Sequence, residues 1–222
     1  MEENNTYDFE GKGEALHNRV MEPALAYQYD GAGDKTLEEY LALPEGTRVE
    51  LIDGVFYDMA SPTGVHQRLI LKIAEALDDF IEKNNGTCIP LVAPYDVQLF
   101  NDNKTCVQPD VLVVCDRERL LEPRLPGAPD FVVEVASPGN WRMDAIIKRQ
   151  IYFESGVREY WIVFPEDKKI LVYFFAGQGG HGCPEAVEYT FRDKVPVGIW
   201  DGRCQVDFAK IYGAVGFMYE EQ

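Results

Sequence analysis

Apolar positions recur with helical spacing in one long stretch and alternate, strand-like, in several short ones. In SPTGVHQRLILKIAEALDDFIEKNNG (61–86), Leu69, Ile70, Ile73, Ala76, Leu77 and Phe80 share one helical face. Asn85-Gly86 supplies the stop. At TLEEYLAL, Thr36 followed by Glu39 fits a capping box and predicts a short helix. RVELID and VFYDMA flank Asp53-Gly54 and predict a hairpin. DVQLF (96–100), DVLVVC (110–115) and FVVEVAS (131–137) read as strands, and 140–155 reads as a second helix closed by Gly156. EYWIVF (159–164) and KILVYFF (169–175) are strands joined by the turn PEDK. VEYTF (187–191) and a run from Val195 to Tyr212 complete the chain. This order predicts an α/β (α+β) fold, a mixed sheet covered by helices. Residues 1–35 read as an extension or arm, and 36–222 as a single domain.

Charge narrows the function. The 222 residues carry a formal net charge of −17, with fourteen acids against four bases in the first 60 residues. Neither this part nor the remaining 162 residues resembles a basic nucleic-acid binder, which counts against strong unaided binding to phosphate backbones. Cys88, Cys106, Cys115, Cys183 and Cys204 contain no C-x-x-C pair and predict reduced thiols without a disulfide framework or zinc ribbon. The acidic start MEENNTYDFEG is unlike a signal peptide. No apolar run approaches the ~20 residues needed to span a bilayer. The expectation is a soluble cytoplasmic protein.

The candidate chemistry lies in one strand and the helix after it. Alternation in FVVEVAS puts Phe131, Val133 and Val135 on one side and Val132, Glu134 and Ala136 on the other. An ionisable group in such an apolar run either faces water or is neutralised by a partner. Asp110 opens the strand after Pro109, and if the two strands are neighbours it converges with Glu134. Two carboxylates held together repel unless a proton or cation lies between them. Mg²⁺ takes one or two carboxylates, waters and a substrate phosphate. Asp144, Lys148 and Tyr152, spaced i, i+4 and i+8, share a helix face, beside an apolar stripe of Met143, Ile147 and Ile151. That packing holds the Lys148 ammonium next to the carboxylates. The set suits phosphodiester hydrolysis, in which a metal polarises the phosphoryl group and a lysine orients water or stabilises developing charge.

Pro109-Asp110, Glu134 and a nearby lysine resemble the PD-(D/E)XK nuclease superfamily. RVELIDG (48–54), His66, QPDVLVV (108–114), VVEVASP (132–138), Asp144, Lys148 and GVREYWIVFP (156–165) together resemble the Uma-two family, whose members are described as restriction endonucleases. The resemblance covers about Thr36 to Tyr212. It implies a restriction-endonuclease-like mixed sheet flanked by helices and a Mg²⁺-dependent (or Mn²⁺-dependent) endonuclease acting on DNA. It also implies Asp110, Glu134 and the Val135 carbonyl as metal ligands, Asp110, Glu134 and Lys148 as catalytic residues, and Glu50 and His66 lining the cleft. The superfamily lysine two residues after the glutamate is missing, since that position is Ala136; Lys148 takes the role from the helix. Lys148 and Tyr152 are similar to a helical glutamine–tyrosine motif of some superfamily nucleases.

Plainer readings stay open for each residue. Asp110 could cap a turn, Glu134 could sit on an exposed strand face, and Glu50 could be a hairpin surface charge. His66 suits a helix N-terminus, Asp144 favours one through the helix dipole, and Tyr152 suits packing with a wet hydroxyl. Lys148 could form an ordinary salt bridge with Asp144, worth ~0.3–0.5 kcal/mol. Gly177-x-Gly179-x-x-Gly182 matches a dinucleotide fingerprint in form but lacks a following helix, so it reads as a hairpin loop, and no nucleotide cofactor is expected. Two functions remain: the nuclease, with a homodimer suited to two-fold cutting of DNA, or an inactive nuclease-fold binding or assembly protein. The high acidity favours the second; Arg142, Lys148, Arg149 and Arg158, close in sequence to the site, favour the first.

Overall fold

The computed structural model describes residues 33–100, 102–137, 139, 141–175 and 185–219. Only 33–35 of the expected arm, and none of the loop Gly177–Gly182, fall within these. Lys35 donates its backbone N–H to the Gly54 carbonyl at 2.9 Å, so this end of the arm rests on the hairpin.

The first helix, α1 (Leu37–Leu41), begins with the capping box: Glu39 N–H donates to Thr36 Oγ1, and Thr36 N–H donates to the Glu39 carboxylate. Leu37 and Tyr40 bury themselves against the hairpin β1 (Val49–Ile52) and β2 (Val55–Asp58). Asp53 and Gly54 turn that hairpin with φ of 49° and 75°. Both central residues at positive φ is what a tight two-residue turn requires. A side chain at Gly54 would also meet the Gly33 carbonyl.

Thr63 caps α2 (Gly64–Lys83) by accepting from the His66 N–H, and Leu69, Ile70, Ile73, Leu77 and Ile81 form its buried stripe. Asn85, at φ 51°, turns the chain away after the C-terminus.

A six-stranded sheet follows. Its strands are β3 (Ile89–Val92), β5 (Val111–Val114), β7 (Phe131–Val135), β8 (Glu159–Phe164), β9 (Lys169–Phe174) and β10 (Val187–Thr190), in spatial order β10-β9-β8-β7-β5-β3. Within this sheet, among the described residues, only the β7–β8 pair is parallel. A parallel pair needs a crossover, and here the connection contains a helix. The helix starts at Trp141, widens into a π turn over Met143–Lys148 and continues as α3 (Arg149–Ser155) until Gly156 ends it in the left-handed conformation.

The predicted alternation in β7 decides which layer each residue enters. Phe131, Val133 and Val135 join the core beneath α2, with Trp161 set edge-on to Phe131 at 5.1 Å. Val132 and Ala136 join the opposite core with Tyr152, Tyr160 and Ile162, beneath the crossover helix. The Val195–Tyr212 run resolves into β11 (Lys194–Val197), a 3-10 turn, β12 (Cys204–Asp207) and α4 (Phe208–Val215), which packs on α2.

Three expectations change. The strand expected over 96–100 shortens to β4 (Val97–Gln98), paired in parallel with β6 (Leu125–Pro126). Leu125 and Gly127 donate their N–H groups to the Asp96 and Gln98 carbonyls, so the missing N–H of Pro126 between them lies off the ladder. The second helix is regular only from Arg149 on, because its first half widens around the buried Asp144 and Lys148. The thiols are not all reduced: Cys88 and Cys115 form a disulfide, whereas Cys106 and Cys204 are free and buried. Ile89 pairs with Val114, so the next register position sets the two sulfurs opposite each other. Among the described residues no helix is long and apolar enough to cross a membrane.

Leu77 is fully buried between α2 and the sheet. Leu77→Ala should lower the unfolding free energy by about 2–5 kcal/mol in urea titrations. A smaller loss would mean that this stripe is not the core contact.

Candidate active site

The β5–β7 register sets Val111 opposite Val133, which brings Asp110 beside Glu134 at the strand ends. Two hydrogen bonds tie them: Val135 N–H donates to Asp110 Oδ2 at 2.8 Å, and Asp110 N–H approaches Glu134 Oε2 at 3.4 Å. His66 arrives from the first turn of α2, with Nε2 3.2 Å from Asp110 Oδ2. One residue thus serves both readings offered for it, since its backbone N–H is also the capped one.

From the crossover helix, Lys148 Nζ lies 2.9 Å from Glu134 Oε1 and 2.9 Å from Glu50 Oε2, with Asp144 Oδ1 at 4.0 Å. Tyr152 donates its hydroxyl to Glu134 Oε1 at 2.7 Å. Glu50, Glu134, Asp144 and Lys148 are each no more than 6% exposed. The surface readings of Glu50 and Glu134 are therefore corrected, as is the wet hydroxyl of Tyr152. Alternation along a strand shows which face a side chain takes, not which layer covers that face. The i,i+4 pair of Lys148 with Asp144 exists but is the longest of its three contacts. All seven side chains singled out in the sequence meet here. Of the nearby cations, Arg158 does not belong: it pairs with Asp130 at 3.1 Å, at the far end of β7.

Burial sets the electrostatics. It pushes the Glu134 carboxyl well above the usual carboxylate range, against the pull of Lys148, and Asp110, Asp144 and Glu50 push it the same way. Burial likewise pushes Asp144 up to about 7, again against the pull of Lys148. Burial works against the Lys148 ammonium, but Glu134, Glu50 and Asp144 overcome it and hold its pKa well above the ordinary value. Lys148 therefore stays charged, and three carboxylates share one ammonium. That surplus of negative charge is what a proton or a divalent cation relieves. The Tyr152 hydroxyl is pushed up by burial and by Glu134, so it remains a donor.

The donor set fits a hard cation. Lys148 and Tyr152 occupy Glu134 Oε1, leaving Oε2, among the described residues, with only the long contact from Asp110 N–H. Asp110 Oδ2 takes Val135 N–H and His66, and Oδ1 has no hydrogen-bond donor among the described residues. No group of three or more His, Cys, Asp or Glu side chains arranged to hold a metal occurs among the described residues. Two carboxylates with water and substrate oxygens completing the shell is the habit of Mg²⁺ rather than of zinc.

Two contributors escaped the sequence reading. The Tyr160 hydroxyl donates to the Asp144 carbonyl at 3.1 Å, and the same carbonyl accepts the Arg149 N–H across the π turn. Such widened turns are common at functional sites. Gln108 N–H donates to Glu50 Oε1 at 2.7 Å. The quoted QPD and REYW segments contain both residues, but nothing in their spacing shows what they bond.

Known proteins give the site its context. No curated protein matches the chain. A crystal structure described as a putative nuclease belonging to DUF820, from Anabaena variabilis ATCC 29413, shares the fold with a TM-score of 0.65. It is 19% identical and covers 80% of this chain and 97% of its own. The model of the Uma2 (Uma-two) family, described as "Putative restriction endonuclease", matches residues 37–195. That span contains every residue of the cluster, and the chain belongs to the Uma2 family.

Proposed function

We propose that the protein is a Mg²⁺-dependent endonuclease that hydrolyses phosphodiester bonds of DNA. The observation that carries this reading is the Lys148 ammonium, buried 2.9 Å from Glu134 beside the Asp110–Glu134 pair. A structural salt bridge needs one carboxylate; this cluster gathers four carboxylates around one lysine and one histidine.

In this reading Asp110 and Glu134 hold the metal, with the Val135 carbonyl as a further ligand. When bound, the cation polarises the phosphoryl group and lowers the pKa of a coordinated water. Val135 N–H fixes the rotamer of Asp110, and Tyr152 fixes that of Glu134. Lys148 presents a fixed donor to the water or to the developing phosphoryl charge, in a site where burial strengthens the interaction. His66 Nε2 sits 3.2 Å from Asp110 Oδ2 and braces that carboxylate. Asp144 and Glu50 anchor the ammonium from behind.

Purified protein should cut DNA with Mg²⁺ or Mn²⁺ and lose detectable cutting with EDTA or in Glu134→Gln. Lys148→Met should lower kcat roughly 100- to 1,000-fold. Cleavage that survives Glu134→Gln would refute the assignment; no cleavage with any divalent metal would favour a binding or assembly role.

The Asp144 carboxyl gives a pH test of the cluster. Its pKa rises from an ordinary 3.8 to about 7 on folding. The native state therefore keeps a proton that the unfolded chain has already lost. Its contribution to stability is complete below about pH 4 and is lost as pH rises to about 7. Urea midpoints for Asp144→Asn should fall less between pH 4 and 7 than those of the wild type. Parallel curves would contradict the buried, proton-retaining carboxyl.

A further inference from the structure

We propose that Gln108 is a positioning residue that aims Glu50, and through it Lys148, for the phosphodiester chemistry; the proposal rests on the nuclease reading. Gln108 contacts neither metal ligand with its side chain. Its backbone N–H holds Glu50 Oε1 at 2.7 Å, while the other oxygen of Glu50 lies 2.9 Å from Lys148 Nζ. Its amide nitrogen spends both protons on the opposite side, donating to Asp96 Oδ1 at 2.8 Å and to the Tyr40 hydroxyl at 3.1 Å. Tyr40 closes the triangle by donating to Asp96 Oδ1 at 2.8 Å.

Two other segments thus lock the side chain: α1 through Tyr40 and the turn before β4 through Asp96. The backbone just before it is braced as well. Cys106 bridges Leu51 of β1, and Val107 bridges Val97 of β4. Two residues beyond Gln108 stands Asp110. A single anchored segment therefore carries Asp110 and also holds Glu50, one of the carboxylates on Lys148. Partners that orient ligands in this way commonly contribute as much as tenfold to a hundredfold to activity.

The primary amide is the group this place requires. It supplies two N–H donors to a carboxylate and a phenol at once. Glutamate there sets a second negative charge against Asp96, and alanine leaves Asp96 and Tyr40 closed only on each other.

The test uses full-length protein labelled with ¹⁵N-lysine, with the Lys148 ammonium signal assigned by its loss in Lys148→Arg. A buried, doubly bonded ammonium exchanges slowly and gives a visible signal. Gln108→Ala and Gln108→Glu should broaden it, and Gln108→Glu combined with Asp96→Asn should restore it by reversing the polarity of the contact. Cleavage of DNA with Mn²⁺ should fall roughly 10- to 100-fold in kcat with KM unchanged, and recover in the double variant. If Gln108→Ala does not fold, the Gln108→Glu pair supplies the same comparison. A Lys148 signal unchanged in folded Gln108 variants, or no recovery in the double variant, overturns the proposal. If the wild type does not cut DNA, the nuclease reading falls alone, and the ammonium signal still decides whether Gln108 positions Lys148.

Discussion

The contact of the Lys148 ammonium with Glu134 and Glu50 is the constraint around which the rest is arranged. A charge in a dry layer is costly unless paired and hydrogen-bonded, and removing one partner of such a pair costs far more than a surface ion pair is worth. Everything that brings the partners together must therefore form at once. The β5–β7 register delivers Asp110 and Glu134, the β1–β2 hairpin delivers Glu50, and the crossover between the parallel strands β7 and β8 delivers Lys148. Three separate parts of the fold are joined at one nitrogen atom.

The arrangement is also unbalanced. Hydrophobic layers on both sides of the sheet hold the carboxylates in place, and burial keeps them there at a cost in charge repulsion. A site optimised for stability would have matched each acid with a base or replaced the group by apolar side chains. Retained surplus charge is what the proposed cation would relieve. The same surplus explains why so acidic a chain can still be proposed to act on a polyanion: the metal, rather than a basic surface, would meet the phosphate.

Much of this was legible in the sequence. The capping box at Thr36, the Asp53-Gly54 turn and the apolar stripe of α2 are local signals, and local signals survive folding. Alternation in β7 separated Glu134 from Val133 and Val135 correctly, and helical spacing aligned Asp144, Lys148 and Tyr152. What could not be read was depth and cross-chain pairing. Glu50 and Glu134 looked equally suited to a surface until other layers covered them. The Cys88–Cys115 bond follows from a strand register that no spacing rule reveals. The widened turn at Met143–Lys148 obeys tertiary contacts, including the Tyr160 hydroxyl, rather than helix propensity.

The central claim is that Asp110 and Glu134 form one cation site next to Lys148. Anomalous diffraction from crystals soaked in Mn²⁺ tests it most directly. The account predicts a single strong manganese peak in contact with oxygens of both Asp110 and Glu134, absent in Asp110→Asn crystals soaked alike. Well-ordered density for the cluster with no manganese peak on those two carboxylates, or manganese bound only elsewhere, would contradict it.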